Sequence, residues 1–337
     1  MQKKKLSGRP FLILLISLFI STLPSLAQQA SPWVSQTNAF DILKRGINLG
    51  NTLEPPQEGG WNNGPAQEYY FDAYKEAGFT TVRVPVRWDE HTEASFPFTI
   101  EPDFLDRVEE VVDWGLERGL YIILNAHHEE WLKEDYSNEN QLRFDSIWSQ
   151  IARRFKDKPE KLFFEMINEP KGLTKAQVDG LNARVLGIIR QTNPTRTVIF
   201  SGNEWSNSAE LLSAAIPEDE HLMGYYHSYD PWNFGGEGEG TWGTASDIAA
   251  VESKFNQVSR WSSDNNIPVM LSEFGAVHAC HYNSRMHFYA VYTEMAQKYG
   301  IAFQVWDDGG MFQVYQREDS TWDEVKDILI YTFPQSP

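Results

Sequence analysis

From residue 44 onward, short apolar runs alternate with longer segments whose apolar positions recur every three or four residues. The runs fall at 46–50, 80–86, 120–125, 162–167, 197–201, 222–226, 269–272 and 301–305. Their near-continuous apolar character suits parallel strands covered on both faces. The segments between them carry helix punctuation. Pro65 opens one that stops at Gly78, and Pro102 opens another that ends at Gly119, with Phe104, Val108, Val111, Val112 and Leu116 on one face. Further helices are expected from about 174 to 190 and in a segment ending near Gly300. Eight such strand–helix pairs predict an α/β fold, a single (β/α)8 TIM barrel. The competing doubly wound sheet calls for a glycine-rich phosphate loop after its first strand, and residues 46–51 lack that spacing.

The first 27 residues stand apart. Lys3, Lys4, Lys5 and Arg9 precede an apolar stretch from 11 to 20, and Ser25-Leu26-Ala27 makes a small-x-small cleavage site, the pattern of a secretory signal peptide. Pro10, Ser17, Ser21, Thr22 and Pro24 interrupt the run that a membrane anchor would need. Cleavage after Ala27 leaves one domain, 28–337, of 310 residues. It removes four positive charges and no negative one, so the formal charge moves from −18 to −22. The mature protein is expected to be secreted or periplasmic, monomeric, and free of the membrane.

An excess of 47 acidic over 29 basic residues argues against nucleic acid as a partner, because phosphate backbones are bound by Lys and Arg. The only cysteine, Cys280, has no partner for a disulfide, so stability has to come from a large core; a lone Cys beside His281 is read as an incidental side chain.

In a barrel the chemistry collects where the strands end. The fourth run leads into Asn168, Glu169 and Pro170, and the seventh into Glu273, Phe274 and Gly275. Both glutamates directly follow buried apolar runs, which separates them from solvated loop carboxylates. Two carboxyl groups facing each other across a barrel mouth supply the acid and the second carboxylate that glycoside hydrolysis needs. Glu165, earlier in the fourth strand, is expected to point into the barrel as a structural group that requires a partner.

Other strand ends add Asn51, Glu54, Arg83, His127, His128, His227 and Tyr229. Arg83 in an apolar strand needs a counter-charge. Adjacent strand residues point to opposite sides, so His127 and His128 chelate one ion poorly, and hydrogen bonding is the better reading; no metal and no cofactor is expected. Flat sugar faces stack on aromatic rings. Trp306 at the end of the eighth strand and Trp242 are the expected platforms, chosen from a set that also includes Trp61, Trp88, Trp131, Trp205 and Trp232.

Four stretches together resemble glycoside hydrolase family 5, the cellulase family A: 46–54 (Gly-Ile-Asn-Leu-Gly-Asn-Thr-Leu-Glu), 82–88 (Val-Arg-Val-Pro-Val-Arg-Trp), 164–170 (Phe-Glu-Met-Ile-Asn-Glu-Pro) and 272–275 (Ser-Glu-Phe-Gly). The resemblance runs from about 44 to 332 and is strongest to bacterial endo-β-1,4-glucanases. It implies a retaining mechanism with Glu169 as acid/base and Glu273 as nucleophile, about 5 Å apart. It also implies that Asn168 binds the sugar 2-hydroxyl, that Arg83 and Tyr229 hold the nucleophile ionised, that His127 and His227 belong to the active site, and that Trp306 is the platform for the distorted sugar. Asn51, Glu54, His128 and Trp242 match cleft positions in the more similar members. The implied substrate is a β-linked polysaccharide, β-1,4-glucan first, with β-1,4-mannanase, xyloglucanase or mixed-linkage glucanase activity as the alternative. Similar members often carry a histidine in the loop that here reads 231–243, glycine-rich and without one, which counts against mannan. Asp307 and Asp308 put two carboxylates beside the platform, and the sequence does not assign them a role; binding sugar hydroxyls and tuning the acid are the options.

Overall fold

Eight parallel strands close into a ring in the computed structural model, which describes Met1 and residues 34–331. The expected signal peptide lies outside the described residues. The strands are β1 (Arg45–Asn48), β2 (Thr81–Val84), β3 (Tyr121–Asn125), β4 (Leu162–Glu165), β5 (Val198–Phe200), β6 (Leu222–Ser228), β7 (Val269–Phe274) and β8 (Ala302–Val305). Each overlaps one of the eight apolar runs; β1 begins one residue earlier than expected, and β6 and β7 each run two residues further. The ring closes between first and last strand, with Gly46 opposite Gln304 and Ile47 opposite Val305.

The helices are α1 (Ala39–Leu43), which packs against the interior cluster, α2 (Glu68–Ala77), α3 (Pro102–Glu117), α4 (Glu130–Glu134), α5 (Asn138–Arg154), α6 (Lys175–Arg190), α7 (Ser208–Ser213), α8 (Trp232–Gly235), which begins at the cleft, α9 (Ala245–Asn265), α10 (Tyr282–Tyr299) and α11 (Val325–Tyr331). Their ends follow the punctuation. Thr174 and Gln177 form a reciprocal capping box at the start of α6. α2 ends at Gly78, whose φ of 103° a side chain would strain. The unit after β5 departs from the regular pattern, because α7 has only six residues.

Alternation along the strands sorts the core into two compartments. Phe164, Leu124, Leu222 and Leu271 point outward to the helices. Ile123, Phe163, Ile199, Met223, Tyr225 and Met270 fill the barrel interior, whose cluster includes Ala39 and Leu43 of α1. The ladder slips near the ends of β6 and β7, where Tyr226 still pairs with Leu271 but His227 pairs with Glu273. Strict alternation from inward-facing Met270 would turn Glu273 out toward the helices. The extra residue, Ser272, restores Glu273 to the barrel mouth, a common use of a bulge beside an active site.

Candidate active site

The inner layer above the apolar plug is polar and built around one guanidinium. Arg83, fully buried, uses all five N–H groups: Nε and Nη2 donate to the two oxygens of Glu165 (2.8 and 2.6 Å), Nη2 also to Asn168 Oδ1 (2.7 Å), and Nη1 to Asn48 Oδ1 (2.9 Å) and Glu273 Oε1 (2.6 Å). Glu165 is thereby the paired structural carboxylate of the barrel interior, with Asn125 Nδ2 as a further donor at 3.0 Å. Asn48 in turn donates to the carbonyls of Ser272 and Val305.

Glu273 is supported on both oxygens, by Arg83 on Oε1 and by the Tyr229 hydroxyl on Oε2 at 2.9 Å. Burial keeps Tyr229 far above its ordinary pKa and therefore protonated as a donor. Burial likewise pushes the Glu273 carboxyl up, and His227 and Arg83 pull it back. The sequence led to the opposite expectation, a nucleophile lowered by Arg83. The physical reason for the difference is burial, which raises the carboxyl more than His227 and Arg83 lower it, with the nearby Glu169 adding to the rise.

Glu169 lies beyond the end of β4 with φ of 38°, an uncommon left-handed conformation for a side-chain-bearing residue. Its N–H donates to Tyr225 Oη (3.2 Å), and that hydroxyl itself donates to Ile167 O (2.7 Å). The carboxylate is one-fifth exposed and accepts from His227 Nδ1 at 2.7 Å, while the same nitrogen stands 3.5 Å from Glu273 Oε2. One oxygen of each glutamate and a His227 nitrogen all lie within 4.8 Å of one another.

At the neighbouring edge, Glu54 Oε1 accepts from the Asn51 N–H (2.6 Å), and its Oε2 faces His128 Nε2 (2.8 Å) and His127 Nε2 (3.6 Å). The Asn125 amide donates to both Glu165 and His127 Nδ1 (3.0 Å), so the His127 proton sits on Nε2. A cation held by Glu54, His127 and His128 would have to take that protonated nitrogen, so the set suits sugar hydroxyls better than a metal. Burial, with His128 and Arg83 adding to it, holds His127 well below its usual pKa and therefore neutral. Trp306 stacks on the His127 ring, 5.8 Å between centroids and 10° between planes.

These groups open on a cleft of about 590 Å³. Of the residues expected from the sequence, Asn51, Glu54, His127, His128, Glu169, His227, Tyr229, Glu273 and Trp306 line it. Arg83 and Asn168 stand just behind, with Asn168 anchored to Arg83. Trp242 is elsewhere: it is buried against Phe234, His287 and Phe288, and anchors the glycine-rich loop to α10. Its place is taken by Trp205, Trp232 and Phe312, with Asn207 between the strands' ends. Asp307 and Asp308 shape a turn through the backbone N–H groups around them. Asp307 accepts from the N–H groups of Gly309 and Tyr315 and faces Arg317; Asp308 accepts from those of Gly310 and Phe312. Cys280 is buried, with its thiol directed at Phe234 O.

One titratable group beside the cleft was not foreseen. Glu129, in the loop that carries the two histidines, is buried with Oε2 accepting from Trp131 Nε1 (2.7 Å) and Oε1 without a partner among the described residues. Burial, with Asp89 adding to it, pushes its carboxyl up to about 8 against the pull of Lys133, Trp131 and Arg143.

A parallel eight-stranded barrel with two close glutamates at the ends of β4 and β7 defines a glycoside hydrolase. The family model Cellulase (glycosyl hydrolase family 5) matches residues 38–311, and the chain belongs to that family. It is 46% identical over 313 residues to Endoglucanase H of Acetivibrio thermocellus, covering 90% of this chain and 34% of that one. This chain thus spans about a third of that relative. It is 30% identical to Endoglucanase A of Clostridium longisporum, over 94% of this chain and 69% of the other. Among solved structures, a tri-modular subfamily 4 endo-β-1,4-glucanase from Bacillus licheniformis superposes with a TM-score of 0.84 at 37% identity, covering 88% of this chain and 60% of that one. Thermotoga maritima Cel5A in complex with mannotriose superposes with a TM-score of 0.83 at 33% identity, over 88% and 99%.

Proposed function

We propose that the protein is a retaining endo-β-1,4-glucanase in which Glu169 is the acid/base and Glu273 the nucleophile. The observation that carries this reading is the approach of the two carboxylates to within 4.8 Å, close enough for direct attack on the sugar and too close to seat a water between them. In the first step Glu169 gives its proton to the departing glycosidic oxygen while Glu273 attacks the anomeric carbon. Arg83 and Tyr229 hold the attacking carboxylate in place. In the second step Glu169, its proton gone, accepts one from a water that releases the sugar from Glu273. Asn168 has its Oδ1 occupied by Arg83, which leaves its amide N–H groups, without an acceptor among the described residues, to donate to the sugar hydroxyl beside the nucleophile.

Endoglucanase relatives and a subfamily 4 structure solved with cellotetraose support β-1,4-glucan as substrate. A mannan reading has support in the mannotriose complex of Cel5A. The test is hydrolysis of carboxymethyl-cellulose, mixed-linkage glucan, glucomannan and galactomannan with EDTA present, with sizing of products and NMR of the first-formed anomer. Short mixed oligomers of retained configuration from the glucans support the proposal. An inverted anomer, loss of activity to EDTA, or release mainly from galactomannan refutes it. The chain is further proposed to be exported with removal of residues 1–27, which N-terminal sequencing of the mature protein checks: a first residue other than Gln28 refutes the site.

A further inference from the structure

Glu169 is held at its backbone and at its carboxylate by one closed circuit of hydrogen bonds that starts in the apolar plug. Tyr225 of β6 lies there with Ile199, Met223 and Met270, fully buried. Its hydroxyl donates to Ile167 O (2.7 Å) and accepts from the Glu169 N–H (3.2 Å) and from Ser206 Oγ (2.9 Å). One donor and two lone pairs are all in use. The circuit returns through Ser206, whose carbonyl accepts from the His227 N–H (2.9 Å), and through His227, whose Nδ1 stands 2.7 Å from Glu169 Oε1.

The two residues that donate to Tyr225 are both in the left-handed region, Glu169 with φ of 38° and Ser206 with φ of 51°. Such backbone persists where its surroundings over-determine it. The other reacting groups have separate anchors. Asn168 donates from its N–H to Ala126 O (2.9 Å) and rests its side chain on Arg83. Glu273 is held by Arg83 and Tyr229. Removing one oxygen at 225 therefore keeps the ring in its apolar layer and leaves those anchors intact, while the Glu169 N–H, the Ser206 hydroxyl and the Ile167 carbonyl each lose a partner. Packing alone gives no reason for that oxygen, because a buried hydroxyl is costly unless its bonds are made.

Building on the retaining reading above, we propose that Tyr225 is a positioning residue for the general acid, its hydroxyl fixing the turn from which Glu169 reaches the departing oxygen. Tyr225 acts on the proton transfer through Glu169 and leaves nucleophilic attack untouched.

The test measures kcat/KM, which reports the first step, on cellohexaose and on 2,4-dinitrophenyl β-cellobioside, whose leaving group departs without a proton. Tyr225→Phe should lower it about tenfold on cellohexaose, the scale of a slightly misplaced acid, and no more than about twofold on the aryl substrate. Placed on top of Glu169→Ala, the same change should cost cellohexaose cleavage nothing further, because the group it positions is gone. Equal losses on the two substrates, none on either, or a double variant that multiplies the two single losses overturns the proposal. Thermal melts report whether Tyr225→Phe folds; if it does not, Ser206→Ala, which removes one bond of the circuit, is judged by the same pattern. Glu169→Ala alone separates the two readings. Equal losses there fail the acid/base assignment itself, whereas a selective loss there beside an unselective one at 225 fails only the role of Tyr225.

Discussion

Replacing Glu129 by Gln should leave stability nearly unchanged in acid and raise it in alkali. The carboxyl has an ordinary value of 4.5 and is pushed to about 8 where it is buried, so the folded chain holds a proton that the unfolded chain has released. Folding stability from this group is therefore complete below pH 4.5 and is lost as pH rises through about 8. At about 1.4 kcal/mol for each pH unit, the loss between pH 5 and pH 9 amounts to roughly 4 kcal/mol. Gln is neutral throughout and keeps an acceptor for Trp131. At roughly 2 °C per kcal/mol for a chain of this size, the variant should melt within a degree or two of wild type at pH 5 and roughly 5–10 °C above it at pH 9. Scanning calorimetry of both proteins in matched buffers measures the difference, and contributions from all other titrating groups cancel. A gap in Tm that is constant with pH, or that closes toward alkali, would refute the reasoning.

Glu273→Ala should abolish turnover on glucan and regain part of it with azide, which attacks from the nucleophile's side and gives a product of inverted configuration; full activity without azide would sink that role. Glu169→Ala should slow cello-oligosaccharides far more than aryl cellobiosides with good leaving groups, and equal losses would argue against an acid/base there. Arg83→Met strands Glu165 and Glu273 without their counter-charge and should cost about 3–5 kcal/mol in urea denaturation, with activity lost as well. An unchanged midpoint would show that the carboxylates find other partners.

The eight strands were legible because parallel strands buried on both faces leave unbroken apolar runs, and the two glutamates because they end such runs. Arg83 and Glu165 were legible from the same logic, since an ionised group in an apolar strand demands an opposite one. The sequence could not show the bulge at Ser272, because one inserted residue leaves no mark on composition, although it decides which way Glu273 points. Choosing among the loop tryptophans failed for a related reason. Whether Trp232 or Trp242 meets solvent depends on how the chain folds back around Gly235 and Gly236, and no periodicity reports that. The role of Asp307 and Asp308 was not legible, because a carboxylate that shapes a turn and one that meets a ligand look alike until the backbone N–H groups around them are placed.

The contacts of Asn48 tie the order of chain assembly to the onset of catalysis. This side chain on the first strand reaches the carbonyls of Ser272 and Val305 on the last two and at the same time receives Arg83. A chain truncated before β8 cannot close the ring, and Asn48 loses the Val305 carbonyl, one of the two that hold it against Arg83. Recovery of activity after dilution from denaturant is accordingly a clock for the moment at which the two ends of the sheet meet.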